Sequence, residues 1–341
     1  MHRSVTICGE LMSRTGTYRG LLTHIEGGRV EFSAGTRLRG QGNMRLRDTG
    51  INWLTDRIKL TYEMADGESI PLGVWLPTAP TVTRTGNGES LEVDLLTPLV
   101  VLDEDCVSRP YSVGEGTIVT SAVTALITST GETRVQATHS QARTSSTLTW
   151  DAGTPKLTII NELLQSINYW ALFVDGLGFF RVEPYYPPAS RSPVREFTDG
   201  ETSIRLPEMR REQDVTGVPN KVVLVGQAEG DKPALTSEAT NTSDDSPFSY
   251  QSRGRWVTYV ETGVEATDQQ VLDQLARRKL IERSTPSATI EITHLPVPLA
   301  PNDVVELNYD GTLRRAVVTK WALDLKPTAL TATTLREVVK L

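Results

Sequence analysis

The sequence predicts a mainly β protein with a small α+β insertion, and three observations support this fold class. From residue 27 to residue 102, short alternating segments are separated by glycine-containing turns, as in barrels and sandwiches. Alternating segments return between residues 288 and 341, and helical periodicity is confined to three stretches. With 341 residues, the chain is long enough for two or three domains with their own cores.

The strands of the first third are predicted from their period-two alternation of apolar and polar residues. Asp66-Gly67 and the glycines around Asn87 supply the turns between them. The predicted strands are 29–33, 57–63, 69–76, 81–83 and 90–95, and 36–47 is predicted to form a charged strand pair or a long ribbon.

The middle of the chain predicts a helix packed on a hairpin. Thr154 as N-cap, Pro155 at the first helical position and an apolar stripe predict a helix that extends to about Tyr169. The hairpin follows, with Asp175-Gly176 as its turn between strands at 171–174 and 179–183. A weaker helical period covers 115–130, where many Thr and Val residues reduce the helix propensity.

The last quarter begins with the clearest helix signal, at 267–283. Thr267 and Gln270 have the spacing of a capping box, and Pro286 stops the helix. Asp310-Gly311 predicts a hairpin turn within the strands that follow. Those strands are predicted at 288–294, 303–309, 313–325 and 329–339, and the helix beside this meander is expected to be one folding unit.

Composition indicates a soluble globular protein made in the cytoplasm. No apolar run reaches the roughly 20 residues that span a bilayer, and the N-terminus has no signal-peptide core. The net charge of −7 argues against a nucleic-acid binder that neutralises phosphates. Cys8 and Cys106 share no spacing with a metal motif, so free or buried thiols are expected.

Motifs for catalysis, cofactors and metals are not found in the sequence, so we predict no catalytic, cofactor-binding or metal site. There is no P-loop, no G-x-S-x-G elbow and no dinucleotide fingerprint. His294 ends a predicted strand and is expected to be an edge residue. The histidines, none at metal-ligand spacing, are His2, His24, His139 and His294.

Two alternatives to a purely structural role remain open. A glycosidase-like acid and base pair could come from Asp103, Glu104, Asp105, Asp151, Asp175 or Glu183. The favoured interpretation places Asp103 to Asp105 in a solvated loop and Asp175 in a hairpin turn. A sugar-stacking platform could be formed by Trp75, Trp150, Trp170, Trp256, Tyr185 and Tyr186, although their spread along the chain favours core or interface packing.

Three blocks together resemble one protein family. The first is Asp56 to Met64 followed by Ile70-Pro-Leu-Gly-Val-Trp-Leu76, and the second is the helix and hairpin from Leu157 to Tyr186. The third, from Asp268 to Leu341, contains the phrase Leu299-Ala-Pro-Asn-Asp-Val-Val-Glu-Leu307. In this order they resemble the tail hub or baseplate hub proteins of tailed bacteriophages, which are related to the hub part of type VI secretion spikes. The first twenty residues have no clear counterpart.

The resemblance implies two tube-like β-barrel domains and a helix-bearing insertion. The barrels would occupy 1–112, possibly completed by later strands, and 201–341, which includes helix 267–283 and a mobile loop at 228–249. The insertion of helix and hairpin would occupy 113–200. Because the chain ends on a strand at Leu341, a hub without a built-in enzyme is expected.

The implied role is that of a structural virion protein. A homotrimer would form a ring that links the sixfold tail tube or distal tail protein to the tail tip or fibres. Tape measure protein and DNA would pass through its channel, which suits an acidic chain. The protein would be assembled in the host cytoplasm and reside at the phage tail tip, without spanning a membrane. The alternative is an all-β module at the tail tip that binds or degrades glycans.

Overall fold

A computed structural model describes residues 5–47, 50–64, 67–86, 88–212, 217–227, 233–284, 289–309 and 311–338. The first strands are β1 (Val5–Met12), β2 (Tyr18–Leu22), β3 (Ile25–Ser33), β4 (Gly40–Leu46), β5 (Arg57–Met64), β6 (Ser69–Pro77), β7 (Thr81–Thr85) and β8 (Gly88–Leu96). The middle elements are α1 (Val100–Glu104), β9 (Tyr111–Val113), α2 (Val119–Ser129), β10 (Val135–Ala137), β11 (Leu148–Trp150), α3 (Lys156–Gln165), β12 (Phe173–Val174) and β13 (Phe180–Val182).

A 3₁₀ turn at Pro188–Ser190 precedes the last elements. These are β14 (Arg195–Phe197), β15 (Arg205–Glu212), β16 (Lys221–Gly226), β17 (Thr236–Thr240), α4 (Tyr250–Arg253), β18 (Thr258–Val264), α5 (Gln269–Ser284), β19 (Thr289–His294), β20 (Val304–Tyr309), β21 (Thr312–Asp324) and β22 (Thr331–Glu337). The mainly β fold class with a few helices is therefore confirmed. Pro286, Asp66 and Asp310 lie outside the described residues, but β5 pairs with β6 and β20 pairs with β21 as antiparallel neighbours.

One large sheet joins the beginning and the end of the chain. Its strand order is β15-β19-β22-β21-β3-β4-β8-β6-β5-β1-β2, with β20 and β14 branching from β21 and β7 from β8. The long strand β21 makes the junction, because its first half pairs with β20 and its second half pairs with β3. At this junction the Phe32 ring lies 5.0 Å from Trp75 and 5.0 Å from Trp321. Strands from both ends therefore share one apolar core, and the domain boundaries at 112 and 200 stay predictions.

The insertion module, residues 99–185, packs α2 and α3 over two small sheets and the predicted hairpin. The hairpin is confirmed, because β12 and β13 pair and the Asp175 carboxylate accepts the backbone N–H groups of Leu177 and Phe179. Helix α3 begins after Pro155 and ends at Gln165, four residues earlier than predicted. It ends there because Asn168 adopts φ 54° and the Tyr169 N–H turns back to the Leu164 carbonyl at 2.9 Å.

The α5 module comprises residues 217–227 and 233–284 and corrects two predictions. Helix α5 packs on a separate three-stranded sheet, ordered β17-β16-β18, and not on the C-terminal meander. Its apolar stripe needs an apolar sheet face, which Val222 and Leu224 supply. Within the segment predicted as a loop at 228–249, residues Thr236–Thr240 form β17 and pair with β16. Residues 228–232 lie outside the described part of the chain.

The predicted helix cap is also corrected. The Asp268 side chain, not that of Thr267, caps α5 by accepting the Val271 N–H at 2.9 Å. The Thr267 hydroxyl is buried, and no hydrogen bond satisfies it within the described residues. The predicted cap is therefore one residue too early, because the Asp268 carboxylate and not the Thr267 hydroxyl reaches a free N–H group of the first turn.

Candidate functional site

Four of the six carboxylates considered for acid and base chemistry have basic or backbone partners. Asp103 belongs to α1, which corrects the predicted solvated loop, and its Oδ1 lies 2.5 Å from Arg37 Nε. The Lys156 amino group donates to Asp105 at 2.6 Å, Asp175 stays in its hairpin turn, and Glu183 pairs with Arg181. Asp103 and Asp105 have separate cationic partners, whereas Asp175 and Glu183 both pair with Arg181, whose guanidinium lies 3.6 Å from Asp175. The two candidates that come together are therefore occupied by a cation.

The aromatic residues considered as a sugar platform are likewise dispersed. Trp75 is fully buried in the core shared by both ends of the chain, and Trp150 packs against Tyr111 while donating to Glu162 at 2.6 Å. The ring centroids of Trp170 and Tyr185 are 4.6 Å apart, and those of the stacked Trp256 and Tyr250 are 4.4 Å apart. Tyr186 is exposed. The rings thus occupy five different environments instead of one common face.

His294 is buried, which corrects its prediction as an edge residue. Strand β19 lies between β15 and β22, and the His294 side chain is fully enclosed. Its Nδ1 lies 2.7 Å from the Leu295 carbonyl, so Nδ1 carries the proton, and Nε2 accepts from the Thr333 hydroxyl at 2.8 Å. Burial lowers the pKa of His294 to about 4, against the opposing effect of the Leu295 hydrogen bond.

The remaining potential ligands do not converge in the part of the chain that the structure describes. No group of three or more His, Cys, Asp or Glu residues there is arranged to hold a metal ion. Cys8 and Cys106 are free thiols. Burial, followed by the nearby Glu63 and Glu10 charges, raises the pKa of Cys8. No described helix is long and apolar enough to cross a membrane.

Three exposed apolar side chains, Tyr18, Leu21 and Leu54, lie on β2 and on a loop that an ion pair connects to it, and we call them the Leu54 surface. Leu54 is 96% exposed at the tip of the loop before β5, and Tyr18 and Leu21 are more than half exposed on β2. The Arg19 guanidinium, between the latter two, donates to Asp56 at 2.6 Å and so ties strand to loop. Such a group of exposed apolar side chains is typical of contact surfaces.

Hydrogen bonds hold the loop that presents Leu54. The nearly buried Asp56 carboxylate accepts the Asn52 N–H at 2.9 Å, and the Asn52 side-chain oxygen accepts the Leu54 N–H at 3.1 Å. This Asx turn fixes the backbone on both sides of Leu54. Sequence reasoning missed the surface, because the segment Ile51-Asn-Trp-Leu54 does not show which of its apolar residues is exposed.

The outward side of the large sheet carries a second surface, the paired-charge face, in which opposite charges meet across strands. Arg29 lies 2.9 Å from Asp324, and Lys320 lies 2.8 Å from Glu31. Burial opposes the ionisation of Asp324, but hydrogen bonds and charges from Arg29 and Lys326 outweigh it and lower the pKa of this carboxyl. These pairs cross the junction of β3 with β21, so the face continues from the first part of the chain into the last.

Comparison with known proteins gives matches in structure only. No protein-family model matches the sequence, and no curated protein matches it. A tail protein from Neisseria meningitidis MC58 is similar with a TM-score of 0.70 and 13% identity over 97% of both chains. The 43 kDa tail protein of prophage MuSo2 from Shewanella oneidensis is similar with a TM-score of 0.64 and 11% identity, covering 96% of this chain and 98% of that one.

A third similar structure comes from a secretion system. The c3393 protein of Escherichia coli is a type VI secretion component described as structurally similar to the T4 bacteriophage tail proteins gp27 and gp5. It aligns with a TM-score of 0.54 and 10% identity, covering 100% of this chain and 76% of that one. The matches extend over the large sheet and both helix-bearing modules. This chain therefore has the fold of phage tail proteins and of a type VI secretion component.

Proposed function

We propose that this chain is a structural virion protein, a tail hub that joins the tail tube or distal tail protein to the tail tip or fibres. The observation that carries the proposal is the similarity to a tail protein over 97% of both chains. A match of that extent includes the insertion module and the α5 module as well as the sheet. The similarity to a tail component therefore covers the large sheet and both modules together and is not limited to a single barrel.

The hub would act as a homotrimeric ring assembled in the host cytoplasm and retained at the tail tip of the virion. The Leu54 surface supports contact with another chain, because a hydrogen-bonded loop holds a 96% exposed leucine out from the body of the protein. Burying such a side chain in a partner stabilises the complex by about 2 kcal/mol, and this contribution is absent while the side chain is in water.

The ring would surround a channel for tape measure protein and DNA. The paired-charge face supports this part of the proposal, because its cations are neutralised by neighbouring carboxylates such as Asp324 and Glu31. Together with the net charge of −7, this arrangement disfavours lasting contacts with phosphates. The role is non-catalytic in this proposal, because the candidates Asp103, Asp105, Asp175 and Glu183 are engaged by the cations Arg37, Lys156 and Arg181.

The test is the mass and shape of the purified chain. Light scattering and negative-stain imaging should show rings with a central hole and about three times the 37.5 kDa of one chain. Leu54→Asp should shift the distribution towards monomers. The matched control is Leu177→Asp, at an exposed leucine in the insertion hairpin, which should leave the rings unchanged.

Two results would contradict the proposal. A monodisperse monomer at high protein concentration, without ring particles in the presence of the neighbouring tail proteins, would exclude the trimeric hub. Equal loss of rings in Leu54→Asp and Leu177→Asp would exclude the Leu54 surface as a specific contact and leave the hub itself in place.

A further inference from the structure

Strand β18 is an edge strand of the small sheet in the α5 module. The sheet is ordered β17-β16-β18, so β18 pairs with β16 on one side only. No other strand or loop among the described residues forms backbone hydrogen bonds with its second side, which we call the free edge of β18. The backbone N–H and C=O groups along this edge are therefore open to a further strand.

The opposite edge of the same sheet is bound by α5. The Gln269 side chain donates to the Thr236 carbonyl of β17 at 3.0 Å. The Ser237 hydroxyl, also on β17, donates to Asp273 at 2.7 Å. The two edges of the sheet therefore differ, and β18 forms the accessible one.

Strand β18 lacks the features by which edge strands avoid unwanted pairing, namely proline, lysine and bulges along the strand. Edge strand β15 of the large sheet has Pro207, several charged residues and a register shift. From Thr258 to Thr262, β18 pairs in regular register without proline or lysine, and its bulge at Gly263 comes near the end. Its one charged residue, Glu261, is bound by Lys279 of α5 at 3.0 Å.

The face of β18 that points away from α5 carries small and β-branched side chains. Thr258, Val260 and Thr262 are exposed on this face, and Val260 is 56% exposed. The alternate side chains, Tyr259 and Glu261, contact α5. β-branched side chains pack well across neighbouring strands, so this face favours strand pairing.

An aromatic pair lies at the start of the same face. Trp256 and Tyr250 stack with ring centroids 4.4 Å apart, and both are more than a third exposed. The Lys221 amino group lies 5.5 Å from the centroid of the Trp256 ring, and Lys221 is the β16 residue opposite Thr258. Lys221 pairs with Glu238 at 2.6 Å, so these two residues add no net charge. Exposed tryptophan and tyrosine side chains commonly anchor protein contacts.

Positive charge exceeds negative charge along β18. Lys279 reaches the strand from α5 as the partner of Glu261. Arg283 also reaches it from α5, donates to the Tyr259 hydroxyl at 3.0 Å and has no carboxylate partner among the described residues. Arg255 is exposed just before the strand, and its guanidinium has no hydrogen bond or ion pair within the described part of the chain. One carboxylate therefore accompanies three cations.

We propose that β18 binds an extended acidic segment of another protein as an additional strand, with apolar side chains on Val260 and Trp256 and a carboxylate at Arg255. In this mode, main-chain hydrogen bonds supply affinity and alternate side chains supply specificity. Pairing of β18 with the β18 of a second copy would bring like charges together, which disfavours that occupant. This inference does not depend on the proposed role in a tail.

The experiment selects ligands of the full chain from a library of random peptides of about ten residues, which is long enough for one strand. Enriched peptides should alternate apolar with polar residues and contain Asp or Glu. The consensus peptide is then N-methylated at every second amide, in each of the two possible phases. One phase should abolish binding and the other should not, because alternate amides of a strand point to opposite sides.

The decisive variant is Val260→Asp, because it places a negative charge against an acidic strand. It should weaken binding of the consensus peptide at least about tenfold. Thr262→Asp is the second variant in case the first folds poorly. Arg255→Gln should weaken binding about threefold at low salt, as expected for an exposed ion pair. Val194→Asp, at an exposed valine before β14, is the control that should keep the full affinity.

The proposal is overturned if no peptide class is enriched, or if the enriched peptides are uncharged or basic. It is also overturned if the consensus peptide binds Val260→Asp as tightly as Val194→Asp, or if both phases of N-methylation have the same effect. Val260→Asp should leave the mass of the purified chain in solution unchanged. A smaller mass would mean that a second copy covers β18, which contradicts the proposed occupant.

Discussion

The insertion module and the α5 module both consist of helices packed on small sheets, but they differ in the size of their hydrophobic cores. Within the described residues, the insertion module buries twenty hydrophobic side chains in its cluster and the α5 module buries eight. Core size limits how well a unit of this size is stabilised by itself. The α5 module must therefore depend on its neighbours more than the insertion module does.

The two modules are also attached differently. The insertion module is joined to the large sheet by an ion pair between Arg57 and Glu132, whose side chains are 6% and 0% exposed. Its hairpin turn also approaches β6 closely, since a Cβ at Gly178 would lie 2.7 Å from Val74. The α5 module meets the insertion module through Arg278, beside an open cleft. Local stability should accordingly fall from the insertion module to the α5 module.

The largest effect is expected at the buried ion pair. Glu132→Ala should lower the free energy of unfolding by about 3 to 5 kcal/mol, because Arg57 would remain buried without a counter-charge. Chemical denaturation of both proteins measures the difference. Replacing both partners, as Arg57→Met with Glu132→Leu, should recover much of the loss. A change below about 1 kcal/mol in the single variant would show that water reaches Arg57 and that the attachment is weaker than we argue.

A matched pair of cavities tests the difference between the modules directly. Leu163 on α3 and Leu275 on α5 are both buried, at 0% and 2% exposure. Each Leu→Ala change should cost about 3 kcal/mol. In the insertion module the loss should appear as a lower global stability, whereas in the α5 module it should appear as local opening.

Hydrogen exchange followed by mass spectrometry distinguishes these outcomes. Amides of α5 should exchange about a hundredfold faster in Leu275→Ala, while those of the large sheet should keep their protection. If both variants accelerate exchange equally throughout the chain, the α5 module is not an independent unit and the comparison fails.

Mild acid should destabilise the large sheet through His294. Burial lowers the pKa of His294 to about 4 in the folded chain, from 6.5 for an ordinary histidine. Between these two pH values the unfolded chain binds a proton at His294 and the folded chain does not. Stability is therefore lost as the pH falls, by about 2 kcal/mol between pH 7 and pH 5. Below that window Asp303 acts in the opposite direction, because burial raises the pKa of its carboxyl.

His294→Gln is the variant that isolates this effect. A glutamine can keep both hydrogen bonds without titrating, so its free energy of unfolding should change less between pH 7 and pH 5 than that of the unchanged chain. Denaturation curves at the two pH values provide the comparison. An identical pH dependence in both proteins would mean that His294 is not the responsible group.

The strands and the hairpin could be predicted because their signals are local. Alternation over 57–63 and the Asp175-Gly176 turn each depend on residues within one element and its neighbour. The docking of α5 could not be predicted, because an amphipathic stripe shows that a helix packs but not which surface it packs against. One of its partners, Thr236–Thr240, has no large apolar side chain and does not stand out as a strand.

The candidate sites were less accessible to sequence reasoning for a related reason. Arg278 and Tyr169 are 109 positions apart, and their hydrogen bond depends on how α5 packs against the insertion module. Arg57 and Glu132 are 75 positions apart, and neither belongs to a motif. Leu54 is informative only through its exposure, which no local pattern encodes.

The smallest effect concerns the start of α5, where two adjacent residues could serve as the cap. Asp268→Ala should cost about 1 kcal/mol, because the Val271 N–H loses its acceptor. Thr267→Val should be neutral or slightly stabilising, because it replaces a buried hydroxyl that has no partner among the described residues with a methyl group. Both changes should act on exchange within α5 and leave α3 unaffected. If Thr267→Val proves the more damaging of the two, then Thr267 is the functional cap, and the smaller core of the α5 module begins one residue earlier than the hydrogen bonds indicate.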